Sequence, residues 1–121
     1  MSAFNYFNTR EKAFDMRTLV LTNEATYTVR VGSTSDNFQV DRVIEVVTTT
    51  DGNDLVITVP DGEYPGQQLL MILKTLGHDE TVTITTTTGD DEAMSAAGDF
   101  VSMEWIDSAV SGWQTVHSQA D

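Results

Sequence analysis

The residues able to do chemistry are few, and their spacing rarely brings them together. His78 and His117 are the only side chains with an ordinary pKa near neutrality, and they stand about 40 residues apart. One falls in a polar turn and one near the C-terminal end, with no His-Glu-x-x-His pair, so each reads as a surface residue rather than a metal ligand or a base. Asp61 and Glu63 are close enough to be cast as a general acid–base pair, but beside Pro60 and Pro65 they read as turn formers. Asp90, Asp91 and Glu92, with Asp99 nearby, supply the oxygens that Ca²⁺ favours, without the spacing of an EF-hand loop. That run reads as a solvated acidic loop. Trp105 and Trp113 could stack on a sugar ring; Trp105 fits a core strand, while Trp113, just after Gly112, stays open between core and sugar platform. Cysteine is absent, as are a Gly-x-Ser-x-Gly elbow and a phosphate-binding glycine loop. The expectation is a protein without catalytic residues, cofactor or metal.

The elements that position these residues are organised around residues 54–77. Leu55, Ile57 and Val59 alternate with other residues at the period of a half-buried strand. Pro60, Asp61-Gly62 and Pro65-Gly66 then compel a turn. From Gln67 to Lys74 the chain is apolar at Leu69, Leu70, Met71, Ile72 and Leu73, which predicts a central strand covered on both faces. A short buried helix fits the same run, but the flanking Pro-Gly, Gly77 and neighbouring strands favour a strand. Before this centre, Leu19–Thr22, Ala25–Val31 and Arg42–Thr50 read as strands, with Tyr27, Val29 and Val31 sharing a face. Gly32–Asn37 reads as a loop, and Asp51-Gly52-Asn53 as a hairpin connection into the Leu55 strand.

After the centre, His78-Asp79-Glu80 reads as a turn and Thr81–Thr87 as a strand with Val82 and Ile84 inward. Gly89–Asp99 reads as an exposed loop or a single helical turn. Phe100–Ile106 follows as a strand with Val101, Met103 and Trp105 on one face, and Trp113–His117 closes the chain after a turn at Ser108–Gly112. About eight short strands and no internal repeat point to an all-β, antiparallel β-sandwich or jelly-roll-like single domain. Eighteen threonines suit its exposed strand faces.

Composition narrows the partners. The 121 residues suffice for one domain with a core but not for two. No window is long enough to cross a bilayer, and no apolar signal-peptide region opens the chain, so neither membrane nor secretory routing is expected. Residues 1–17 carry a net charge of +1 and residues 18–121 a net charge of −14. A body so acidic repels phosphate backbones, which excludes direct nucleic-acid binding, and it resembles proteins kept soluble in salty surroundings.

One domain and an arm follow: an N-terminal arm at 1–17 and a β-sandwich domain at 18–121. The arm holds Phe4, Tyr6, Phe7 and Phe14, four of the ten aromatics, and Arg10, Lys12 and Arg17, half of the basic residues. These side chains can fold back on the domain's own core or dock on a neighbouring subunit. The enrichment of Phe, Tyr and Arg at interface cores favours docking.

Residues 54–117 resemble a module of tailed-phage virion proteins. The resemblance rests on Ile57-Thr-Val-Pro60-Asp-Gly62, Pro65-Gly66-Gln67, the apolar strand ending Leu73-Lys74, and Val82-Thr-Ile-Thr. It continues through Ala97-Gly98-Asp99-Phe100-Val101, Glu104-Trp105-Ile106 and Gly112-Trp113-Gln114-Thr115-Val116. Tyr64 and the acidic Gly89–Glu92 loop depart from the pattern, and residues 1–53 lie outside it. In that family the module occurs in small head-decoration (cement) proteins, head-fibre proteins and some tail-fibre domains. The resemblance implies a homotrimeric decoration protein on the outer surface of an icosahedral shell, binding the major capsid protein and stabilising contacts between capsomers. The alternatives are a tail-fibre or receptor-binding segment, ranked second because 121 residues leave no room for a long shaft, and a carbohydrate-binding β-sandwich, which requires an exposed Trp113.

Overall fold

A computed structural model describes residues 17–21, 26–32, 40–48, 54–107 and 110–119. These form nine strands and no helix: β1 (Arg17–Leu21), β2 (Thr26–Thr28), β3 (Val43–Thr48), β4 (Leu55–Val59), β5 (Gln68–Thr75), β6 (Val82–Thr86), β7 (Glu92–Met94), β8 (Phe100–Asp107) and β9 (Gly112–Gln119). The fold is an all-β single domain of two facing sheets, one ordered β1-β3-β5-β8-β9 and the other β2-β4-β6-β7.

Period-2 patterning dictates which side of each strand is buried. Ile44 and Val46 of β3, Leu69, Met71 and Leu73 of β5, and Val101, Met103 and Trp105 of β8 line the inner face of the larger sheet. Leu55, Ile57 and Val59 of β4, Val82 and Ile84 of β6, and Met94 of β7 line the inner face of the smaller one. All belong to one apolar core, with Tyr27, Val31 and Leu76 packed at its margin. β5 is central in its sheet, as its apolar run predicts. Its second face is only half covered, since Leu70 and Ile72 are intermediate in burial.

The strand directions differ from the antiparallel expectation. β1, β3 and β5 run parallel to one another, and so do β2, β4 and β6. Antiparallel pairing is confined to β5–β8, β6–β7 and β8–β9, so the sheets are mixed rather than those of a jelly roll. The chain places one strand in the larger sheet, the next in the smaller, and repeats this through β6. It therefore winds as a flat coil of three rungs. Parallel neighbours in a sheet need a crossover connection, and here each crossover is the strand laid in the opposite sheet. The Asp51-Gly52-Asn53 hairpin is thereby corrected: β3 and β4 lie in different sheets and do not pair. The connecting residues themselves lie outside the described residues.

A coil must repeat, and this one does. The register partners Arg17↔Ile44, Ile44↔Met71 and Leu55↔Val82 are each 27 residues apart. Polar side chains follow the same step. Thr48 Oγ1 donates to the carbonyl of Thr75, and the Thr81 amide donates to Asp54 Oδ1, both across 27 residues. Shortly after its strand in the smaller sheet, each rung carries a glycine: Gly32, Gly62 and Gly89. Gly62 and Gly89 are 27 residues apart, the step of the β4–β6 register. Gly32 and Gly62 are 30 apart, the step of the β2–β4 register Thr26↔Val56.

Close approach explains two of these glycines. A Cβ on Gly62 would fall inside the Trp105 indole, and one on Gly89, at φ +123°, would fall inside the backbone of Trp113. Gly98 also has a positive φ, +98°, but a Cβ there would meet no atom within 4 Å. Gly89→Ala should therefore cost about 2–5 kcal/mol in urea unfolding, from backbone strain plus overlap. Gly98→Ala, with strain alone, should cost about 1 kcal/mol. Equal losses for the two variants would show that contact with β9 does not fix the corner.

Candidate functional site

The acidic segment resolves into separate structural devices. Asp90 Oδ2 accepts from the Thr115 amide at 2.9 Å, and the Asp90 amide donates to the Trp113 carbonyl at 2.8 Å. Asp91 Oδ1 accepts from the Thr86 amide at 2.9 Å. Glu92 Oε2 accepts from Thr115 Oγ1 at 2.8 Å. Asp99, 7 % exposed, accepts from the amides of Ser95 and Ala96 and so caps the turn before β8. Asp90 and Asp91 thus satisfy backbone donors at the β6–β7–β9 corner, Glu92 a threonine hydroxyl there, and Asp99 the backbone of the β7–β8 turn. The solvated-loop reading of Gly89–Asp99 is corrected accordingly: the segment contains β7, and Met94 is fully buried.

Trp113 is 0 % exposed and Trp105 4 %. Their rings meet edge-on, with centroids 5.6 Å apart and planes at 60°. Trp113 Nε1 donates to the Pro60 carbonyl at 2.8 Å. A buried indole needs a partner for its N–H, and this one is found on the β4–β5 turn. A sugar platform at Trp113 is thereby ruled out, and with it the exposed tryptophan on which the carbohydrate-binding alternative depends.

Asp61 and Glu63 are exposed on the β4–β5 turn, and His78 is on the β5–β6 turn. No hydrogen bond or ion pair among the described residues joins these three. The Glu63 amide donates to Gln67 Oε1 at 2.7 Å, and Gln67 Nε2 donates to the Val31 carbonyl at 2.7 Å. Gln67, 2 % exposed, thus ties its turn to the preceding rung. Asp41, 2 % exposed, accepts from the Tyr27 hydroxyl at 2.5 Å and from the Arg30 amide at 2.9 Å. Neither residue stands out in sequence, because nothing local marks a polar side chain whose partner lies 36 or 11 residues away.

The surface that these devices fix in place is one end of the sandwich. The Gly66 amide donates to the Trp105 carbonyl, and the Trp105 amide to the Gln67 carbonyl, each at 2.8 Å. They clamp the β4–β5 turn against the end of β8. Tyr64 lies on that turn and Ile106 next to Trp105, 50 % and 41 % exposed, and Val110 lies on the β8–β9 turn, 84 % exposed. Apolar side chains held out on a rigid frame are suited to contact with another protein. Sequence reasoning misses this group: alternation turns Ile106 away from the Trp105 face, but nothing in the sequence relates it to Tyr64 on the turn.

The candidate docking residues Phe4, Tyr6, Phe7, Arg10, Lys12 and Phe14 lie outside the described residues. Arg17 opens β1, opposite Ile44; its side chain also lies outside the description. No helix among the described residues is long and apolar enough to cross a membrane. No family model matches this chain, and no curated protein matches it either.

Trp113→Phe keeps a ring in the core but leaves the Pro60 carbonyl without its indole donor. It should lose about 1–3 kcal/mol of stability in chemical denaturation. A variant as stable as the parent would mean that the indole N–H does not anchor the turn.

Proposed function

We propose that this protein is a virion structural protein, a capsid decoration or cement protein that binds the outer surface of an icosahedral shell as a homotrimer. The observation that carries the reading is the exposure of Tyr64 on the clamped β4–β5 turn, of Ile106 near the end of β8 and of Val110 on the β8–β9 turn. A preordered apolar surface of this kind loses little entropy on docking. The resemblance over residues 54–117 supports the same reading, since those residues supply both the clamped turns and the strands beneath them.

In this reading the major capsid protein is the partner, and the protein performs no catalysis and takes no cofactor. The net charge of −13 suits an outward position away from packaged nucleic acid and disfavours anionic membranes. Phe4, Tyr6, Phe7, Arg10, Lys12, Phe14 and Arg17 supply aromatics and positive charge for the neighbouring subunit or shell. Three such arms around a three-fold axis would engage several capsid subunits, so individually weak contacts combine into firm attachment.

The experiment is cosedimentation with shells that lack the protein, combined with light scattering for mass. The full chain should sediment with shells and weigh as a trimer. Deleting residues 1–16 should reduce shell occupancy while leaving the trimer intact, and Val110→Asp with Tyr64→Ser should reduce occupancy further. Undiminished occupancy in both variants would overturn the proposed contacts, and a monomeric full chain would overturn the three-fold arrangement.

A further inference from the structure

Among the buried acids, Glu80 is set apart by its lack of partners. Asp41 and Asp99 each accept at least two hydrogen bonds. Glu80 is 0 % exposed, and neither of its carboxylate oxygens receives one. Burying a carboxylate is costly unless a cation or donors compensate it. Among the described residues the positively chargeable atom within 4 Å is His78 Nδ1, 3.9 Å from Glu80 Oε2 and beyond hydrogen-bonding distance. His78 Nδ1 instead contacts Asp79 Oδ1.

We propose that His78, Asp79 and Glu80 form a binding site for a first-row divalent cation of the Zn²⁺ or Mn²⁺ kind. One ligand atom from each residue falls within a set whose members all lie within 4.8 Å of one another. Metal–ligand bonds of about 2.0–2.2 Å place adjacent ligand atoms roughly 3–4 Å apart, so the His78–Glu80 separation already fits. An imidazole beside two carboxylates favours Zn²⁺ or Mn²⁺ over Ca²⁺ and Mg²⁺, which take oxygen ligands. The cation would supply the charge that the Glu80 oxygens lack.

The turn is also held ready. At its start the Gly77 amide donates to Thr48 Oγ1, and at its end the Thr81 amide donates to Asp54 Oδ1, each at 2.9 Å. Both anchors belong to the preceding rung, so the backbone that carries the three residues is braced, and an ion would replace the His78–Asp79 contact. The His78 and Asp79 side chains are 59 % and 87 % exposed, which gives an ion an entry path and leaves room for water in the remaining positions. Chain spacing alone hides the site, because the decisive fact is the burial of Glu80 beneath two exposed neighbours.

The test is calorimetric titration of the untagged full chain, after chelator treatment, with Zn²⁺ and with Mn²⁺, alongside thermal unfolding with and without the metal. At least one of the two ions should bind with one-to-one stoichiometry and raise the melting temperature. H78Q and D79N, both at exposed positions, should each weaken that binding about tenfold or more and diminish the thermal shift. H117Q should bind as the parent does. E80Q should also lose binding while keeping the parent's circular dichroism. Absence of binding by both ions, or an H78Q variant that binds like the parent, would overturn the proposal.

Discussion

The fold depends on keeping three rungs in register. In a flat coil each strand draws its backbone hydrogen bonds from the strand one rung away, so a slip of one residue would turn the apolar face outward. Interleaved apolar residues set that register within the sheets: Ile44 beside Met71, Val46 beside Leu73, Leu55 beside Val82 and Ile57 beside Ile84. Side-chain bridges set it again at the turns, where Thr48, Asp54 and Gln67 each bond to backbone of an adjoining rung. Apolar packing tolerates small rearrangement, whereas a buried polar group without its partner does not. The polar bridges therefore add a precision to the register that packing alone would not supply.

The coil must also be ended. A rung without a neighbour exposes unpaired backbone groups and apolar surface, and repeat architectures meet this with atypical terminal elements. Here the third rung is closed by two reversals of direction. β7 turns back against β6, and the β8–β9 hairpin turns back against β5. The tryptophan pair joins these closures: Trp105 lies on β8 against Gly62, Trp113 lies on β9 against Gly89, and the Trp113 indole reaches the Pro60 carbonyl. Two corner glycines and two tryptophans therefore connect the winding part of the chain to its cap.

This arrangement explains what can be read from the chain. Strand positions and inward faces are legible for β4, β5, β6 and β8 because alternation reports burial directly. Strand direction is not, because a parallel and an antiparallel strand share the same alternation. The repeat is concealed by unequal rungs: the step is 27 residues at Leu55↔Val82 but 30 at Thr26↔Val56, and few side chains recur besides the corner glycines and inward aliphatics. At the candidate contact end, Trp105 is legible as core, while Trp113 is decided only by its long-range partner. Acidic residues mislead for a related reason. A run such as Asp90-Asp91-Glu92 looks solvated when its donors, Thr86 and Thr115, are distant in sequence or on another strand.

The closure is unequal at the two ends of the coil, and that asymmetry bears on attachment. Among the described residues all four outer strands, β1, β2, β7 and β9, pair on one side only, but the outer strands reverse direction at the third rung alone, while β1 and β2 continue the parallel winding with β3 and β4. An edge strand presents a row of backbone donors and acceptors that will take a further strand from the same chain or from another. The aromatic segment of residues 1–16 is joined directly to β1, at that edge. If it covers its own edge, it completes the domain and contributes nothing to assembly. If it covers the edge of a neighbour, the same backbone pairing and aromatic burial become intersubunit contacts, and each subunit both offers an edge and receives an arm. Closed exchange of this kind gives a ring rather than an open chain when its rotation closes. The trimer proposed above does not depend on that exchange: it is held without residues 1–16, which leaves the arm to reach the shell.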